Sequence, residues 1–358
     1  MTSVKNSSTD IDLLAALPDS PDAYPQKLDL VRTRVLLIAF DESSYRGASF
    51  LDDRVLGPAT QGAWVPLERA ASAARLGQHP RPLHFILHAG HVGSTLLSRL
   101  LESTGTVLSL REPLPLRTLA DASDDLDRPD SLLSSEQFMA VVETFARLWS
   151  RGYPGTQAVV LKATSSSARV APALLRRDLG SRAVYLNLRA EPYLATLLAG
   201  ANSAIDLRGH GSERMRRLCQ RLASPPQPLH ALTHGELAAM SWLAETLTQR
   251  ELLHAMPGQV LAVDFDDFLA DMATAMARVT AHLRVATAPG WLAQLAANPV
   301  LMRYSKAPNH EYSPALRAQV LKQARHEHRD EIRRGLAWLE TLARSEPAVA
   351  RVLQVDAP

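Results

Sequence analysis

One stretch, residues 84–113, constrains the fold more than any other part of the chain. A short apolar run, His84-Phe85-Ile86-Leu87-His88, passes into the small-residue turn Ala89-Gly90-His91-Val92-Gly93-Ser94-Thr95. An amphipathic helix follows, opening Leu96-Leu97-Ser98-Arg99-Leu100-Leu101, and a second apolar run over 106–110 ends at Arg111-Glu112-Pro113. A glycine-containing turn from strand to helix leaves backbone N–H groups unpaired at the positive end of the helix dipole, so an anion is its natural occupant. Gly90 and Gly93 allow close approach of a ligand, and Ser94 and Thr95 add hydroxyl donors in the first helical turn. The segment reads as a phosphate cradle.

The cradle lacks one expected group. A loop that holds a nucleoside triphosphate has a lysine immediately before its Ser or Thr, to neutralise the β and γ phosphates. Here that position is Gly93. The run Gly93-Ser94-Thr95-Leu96 resembles the sulfotransferase family, whose donor is 3′-phosphoadenosine 5′-phosphosulfate (PAPS) and whose loop surrounds the 5′-phosphosulfate. The resemblance implies a three-layer α/β domain of the P-loop-like kind with a central, mainly parallel sheet. Gly90, His91, Val92, Gly93, Ser94 and Thr95 would then be the 5′ side of the donor site. His91 stands where the family has Lys or Arg, and a neutral imidazole offers a hydrogen bond without a fixed charge.

Further segments fit the resemblance in chain order. The apolar run 159–162 ends on Lys162, and the run 183–188 is followed by Arg189-Ala190-Glu191-Pro192. Ends of parallel strands are where open sheets place ligands. By the family's pattern Arg189 grips the 3′-phosphate, with Thr196 as its hydroxyl partner. Residues 260–269 resemble a family segment that reads as structural. Ser305 and Lys306, in the run 303–309, occupy the chain position of a signature that covers the nucleotide. The resemblance spans residues 82–345.

It also implies a reaction, sulfuryl transfer from PAPS to a hydroxyl or amine of a small-molecule or peptide acceptor, without a metal. Glu112 would take the acceptor proton, as a Glu at this chain position does in family members of the tyrosylprotein and heparan types. Lys162 would either steady the leaving oxygen or form a structural ion pair. An ion pair of Glu112 with Arg111 or Arg117 is the plain alternative. Two other functions stay open: a nucleotide-dependent kinase, and an inactive nucleotide-binding scaffold.

Composition narrows the partners. Of 358 residues 39 are Lys or Arg and 37 Asp or Glu, a formal net charge of +2 with the signs interspersed, so nucleic acid is not an expected partner. The single cysteine, Cys219, cannot form an internal disulfide, and the first residues carry no apolar signal region, which gives a cytoplasmic expectation. No apolar stretch has the length of a membrane span. His84, His88 and His91 lack a cysteine or carboxylate companion at ligand spacing, so no metal is expected.

The remaining chain divides into an N-terminal segment over 1–80, a main domain over 81–345 and a tail over 346–358. The first twenty or so residues read as frayed, 34–40 as a strand and 64–74 as helical. Residues 118–131, rich in Asp and Ser, read as a loop. Helices are expected over 135–151, 168–179 and about 233–255, the last with Trp242, Leu243 and Leu247 in the core. Arg214, Arg217 and Arg221 share one side of a helix and read as solvated surface. Ser165, Ser166 and Ser167 read as capping hydroxyls, and His326 and His328 as an exposed helix face. The front segment fits a sheet cap, a substrate contact or a homodimer contact.

Overall fold

A computed structural model describes residues 9–77, 80–126, 128–178, 180–200, 202–302 and 314–356. Among the described residues, eight strands make two sheets. Strands β1 (Ala23–Asp29), β2 (Arg34–Ala39) and β3 (Gly62–Pro66) form an antiparallel sheet in the order β1-β2-β3. Strands β4 (Leu83–His88), β5 (Val107–Arg111), β6 (Ala158–Lys162), β7 (Ala183–Asn187) and β8 (Val260–Asp264) form a parallel sheet in the order β5-β6-β4-β7-β8. The three-layer α/β domain with a central parallel sheet is therefore present, and a small mixed segment precedes it.

The parallel strands β4 to β7 are buried along their whole length. That is why they read as continuous apolar runs rather than alternating ones. Alternate residues still face opposite layers. Ile86, Val160, Val184 and Leu186 join one apolar cluster, whereas Phe85, Leu87, Val159, Leu161 and Tyr185 join the other. The first cluster includes the cradle helix Ser94–Glu102 and most of the long helix His234–Ala255. Capping boxes fix two helix starts: Ser134 with Gln137 at Ser135–Trp149, and Thr233 with Glu236 at His234–Ala255. Trp242, Leu243 and Leu247 are buried.

Several local expectations change. Residues 9–16 are a helix, with Leu13 and Leu17 buried, where fraying was expected. Trp64 lies in β3 opposite Leu36, and the helix begins only at Leu67. Residues 114–123, partly read as loop, are a helix. Pro115 suits its first turn, and Leu116, Leu119 and Ala120 are buried at helical spacing while the polar residues fill the other face. From Pro347 the C-terminal segment is a helix with Val349 and Val352 buried. Glu346 accepts from the backbone N–H groups of Ala223 (3.0 Å) and Ser224 (2.9 Å).

The N-terminal segment packs directly on the main sheet. Residues from Leu13 to Val65 share one apolar cluster with Phe85, Leu108 and Leu161. The buried Arg151 guanidinium donates to the carbonyls of Leu17, Ser20 and Ala23. Among the described residues no helix is long and apolar enough to cross a membrane.

Candidate functional site

The cradle sits at the carboxyl end of the central strand. After His88 the backbone takes left-handed values at Gly90 (φ 98°), His91 (φ 55°) and Gly93 (φ 72°), and Gly93 is the N-cap of Ser94–Glu102. The His91 conformation is uncommon for a residue with a Cβ. Side chains of His88, Tyr193 and Val92 hold the turn. The His88 ring accepts from the Gly90 N–H at Nδ1 (3.0 Å) and donates from Nε2 to the Ala163 carbonyl (2.8 Å). Tyr193 donates its hydroxyl to the Ala89 carbonyl at 2.9 Å and lies 3.1 Å from the Ser241 hydroxyl. Val92 is fully buried in the core cluster, so it anchors the loop by packing and offers a ligand only its backbone.

Ser94 and Thr95 are 3% and 2% exposed, and the Thr95 Oγ1 atom is buried with no hydrogen-bond partner among the described residues. Buried hydroxyls are ordinarily satisfied, because an orphan costs about 1–3 kcal/mol. An unpaired hydroxyl in the first turn of a helix behind a glycine turn is suited to an anion.

On one side of the cradle, β6 lies between β4 and β5, with Lys162 in register with Ile86 and Arg111. The Lys162 ammonium, with no exposed side-chain surface, forms an ion pair with the Glu112 carboxylate. The Glu112 N–H donates to the Lys162 carbonyl (2.7 Å), and Glu112 itself is left-handed at φ 56°. The plain alternative thus takes a different partner from those expected. Arg111 instead pairs with Glu102 and donates to Ser98 Oγ and to the carbonyls of Tyr45 and Ala48. Burial pushes the Glu102 carboxyl up, and the Arg111 charge opposes that shift.

On the other side, Arg189 is exposed at the N-cap of the helix Ala190–Leu198, and its side chain has no hydrogen bond or ion pair among the described residues. The preceding strand end is fixed by Asn187, which donates to Thr246 Oγ1 (2.9 Å) and Gln249 Oε1 (3.1 Å), and by Trp242, which donates to the Leu188 carbonyl (2.8 Å). Thr196 donates its hydroxyl to the Pro192 carbonyl at 2.7 Å, leaving it only lone pairs to offer. Glu191 is held by both donors of Arg325 at 2.8 Å. Ser305 and Lys306 lie outside the described residues.

Two other readings of polar residues change. Arg214 and Arg217 are 1% and 4% exposed instead of solvated. Arg217 bonds the fully buried Glu245 at 2.5 Å and also pairs with Glu213, which raises its pKa against the pull of burial. The serines 165–167 open the 3-10 turn Ser165–Val170, and neither that turn nor the helix Ala171–Arg177 has a side-chain cap. Ser165 faces Gly90, where a Cβ would stand 3.4 Å from its own.

No protein-family model matches the chain, and no curated protein matches it. Solved structures do. A Mycobacterium avium sulfotransferase is 12% identical, with 92% of this chain and 98% of that one covered at a TM-score of 0.40. A mouse sulfotransferase complexed with PAP is 10% identical, with 80% and 93% covered at 0.40. The sulfotransferase domain of the curacin biosynthetic pathway is 13% identical, with 70% and 98% covered at 0.40. The chain is similar to solved sulfotransferases. At these identities the likeness concerns the fold alone.

Three residues of the site carry no signal in the sequence pattern. Phe50, from the N-terminal segment, lies with its ring 5.8 Å from the Lys162 ammonium and 3.5 Å from the Arg54 guanidinium carbon. Leu51 beside it donates its N–H to the Arg111 carbonyl at 2.7 Å. Phe265, after β8, presses its ring against Gly93. Tyr193 reaches the cradle from a helix about a hundred residues downstream, as the bond to Ala89 shows. His84 and His88 both bond backbone groups, His84 accepting from the Arg182 N–H at 3.2 Å.

Proposed function

We propose that the protein is a sulfotransferase that uses PAPS to sulfate a hydroxyl or amine of a small-molecule or peptide acceptor. The observation that carries this reading is the orphaned, buried Thr95 hydroxyl in a glycine cradle that has no lysine. It calls for an anionic ligand, and the missing lysine argues against a triphosphate with magnesium.

The residues fit such a donor. The first-turn N–H groups of Ser94–Glu102, with Ser94 and Thr95, would hold the 5′ side, and Arg189, exposed and without an ion-pair partner among the described residues, would take the 3′-phosphate. The donor, when bound, supplies an activated sulfuryl group. Glu112 would accept the acceptor proton, and Lys162 would orient that carboxylate and offset negative charge on the departing oxygen. Phe50, with Arg54 stacked on it, lies beside this pair and would form one wall of the acceptor site.

Thermal unfolding with adenosine 3′,5′-bisphosphate, and separately with ATP and magnesium, tests the reading. Stabilisation by the bisphosphate alone supports it. Stabilisation by ATP and magnesium alone supports a kinase, and stabilisation by neither leaves a scaffold.

A further inference from the structure

A second cationic site lies at the far end of the parallel sheet, where β4, β6 and β7 begin. A cavity of about 480 Å³ there is lined by Arg81, His84, Arg147, Arg177, Asp178 and Arg284 among others. Its charges do not cancel. Glu143 is shared between Arg147 (2.6 Å) and Arg177 (3.3 Å). The Asp178 carboxylate accepts from Gly180 N–H (2.8 Å) and the Ser181 hydroxyl (3.1 Å), with Arg177 at 4.0 Å. Arg81 and Arg284 have no carboxylate partner among the described residues. Arg182 stands behind the lining, its backbone N–H on His84 and its guanidinium on the Gly258 carbonyl (3.3 Å), so the lining itself sets four guanidinium groups against the carboxylates of Asp178 and Glu143.

Hydrogen bonding is incomplete in the same place. The Nε atoms of Arg81, Arg177 and Arg182 are buried and have no partner among the described residues. A guanidinium is a fork that matches phosphate or carboxylate oxygens two at a time, and buried donors are normally paired. Arg284, at φ 54°, is the left-handed residue that ends the helix Met272–His282, with the Val285 N–H bonded to the Thr280 carbonyl (2.9 Å). His84 reports the local potential. Burial, followed by the charges of Arg182, His282 and Arg284, pushes its pKa down to about 4.

We propose that this cavity binds a small phosphate-type polyanion, of pyrophosphate size or somewhat larger, at a site separate from the cradle. The surplus of guanidinium groups exceeds what one monovalent ion neutralises, and the cavity volume accommodates two linked phosphate groups. The site does not depend on the sulfotransferase reading, because its residues lie at the opposite end of the parallel strands from Thr95 and Arg189.

The test is a calorimetric titration of the full chain with inorganic pyrophosphate at constant ionic strength. It is run on the wild type, on Arg81→Gln/Arg284→Gln and on Thr95→Val, and the His84 ring resonances of the wild type are followed by NMR. The expected result is binding that falls at least about tenfold in the double arginine variant and persists in Thr95→Val, with a saturable shift of the His84 resonances. Should the double variant not fold, the exposed Arg284→Gln alone should still weaken binding by about threefold. The proposal is overturned by absence of binding in the wild type, by equal affinity in the folded arginine variants, by binding lost in Thr95→Val, or by His84 resonances that stay fixed at saturation.

Discussion

The Phe265 ring occupies the space that a side chain on residue 93 would need: an ideal Cβ there would stand 1.9 Å from the ring Cε2. Gly93 is also held at φ 72°, a region in which side chains are strained. Asp264 fixes the ring by capping the helix Phe265–Ala270, accepting from the N–H groups of Asp266 (2.8 Å) and Asp267 (3.1 Å). The lysine of a triphosphate loop is therefore excluded by packing as well as absent from the sequence. Gly93→Lys should lower stability by roughly 2–5 kcal/mol and confer no ATP binding. Chemical denaturation together with ATP titration checks this; a stable variant that binds ATP with magnesium would show that the cradle tolerates the kinase arrangement.

The ion pair of Lys162 and Glu112 separates stability from chemistry. Removing one partner strands a buried charge, so Glu112→Gln should lose about 3 kcal/mol of stability and also lose turnover. Lys162→Met/Glu112→Gln should recover most of the stability and none of the turnover. A double variant as unstable as the single one would mean the two charges are held by other groups, and full turnover in Glu112→Gln would remove Glu112 as the base.

The chain order of strands β4 to β7 was legible because they are buried on both faces and so appear as uninterrupted apolar runs, each ending on a polar or charged residue such as Lys162 or Asn187. The cradle was legible because glycines and hydroxyls are adjacent in the chain. What stayed hidden depends on distant pairing. The choice of Lys162 over Arg111 as partner of Glu112 follows from sheet register, and Arg111 is diverted to Glu102 within its own crossover. Likewise, the burial of Arg217 follows from its pairing with Glu213 and Glu245, and that of Arg214 from its pairing with Asp206 (3.3 Å), which helical spacing alone does not reveal. The helix Leu114–Ser123 was obscured at its C-terminal half, where it runs into the Asp- and Ser-rich stretch that continues to residue 131.

Arg189 should discriminate ligands by one phosphate. Exposed and without side-chain partners among the described residues, it can be removed without structural loss. Arg189→Ala should weaken adenosine 3′,5′-bisphosphate by at least about tenfold and leave adenosine 5′-phosphosulfate nearly unchanged, with the same melting temperature. Equal losses for the two ligands in competition binding would move Arg189 away from the 3′-phosphate.

His84 should make stability fall in mild acid. Its pKa is pushed down to about 4 in the folded protein against an ordinary 6.5, so the unfolded chain takes up the proton first. The contribution is complete above pH 6.5 and is lost as the pH falls towards 4, amounting to about 3 kcal/mol at most. The difference in unfolding free energy between wild type and His84→Gln should therefore change over that window; a difference independent of pH would mean His84 titrates normally.

The central claim, that the cradle exists to hold an anionic nucleotide group, rests on Thr95. Its buried hydroxyl lacks a partner among the described residues, so Thr95→Val, which keeps the shape, should leave stability unchanged or raise it by about 1 kcal/mol. The decisive measurement is calorimetric binding of adenosine 3′,5′-bisphosphate to wild type and Thr95→Val, with both melting curves. The expected result is clear binding by the wild type and a loss of at least about tenfold in an equally stable variant. Equal affinity in the two proteins, or no binding by the wild type, would contradict the claim.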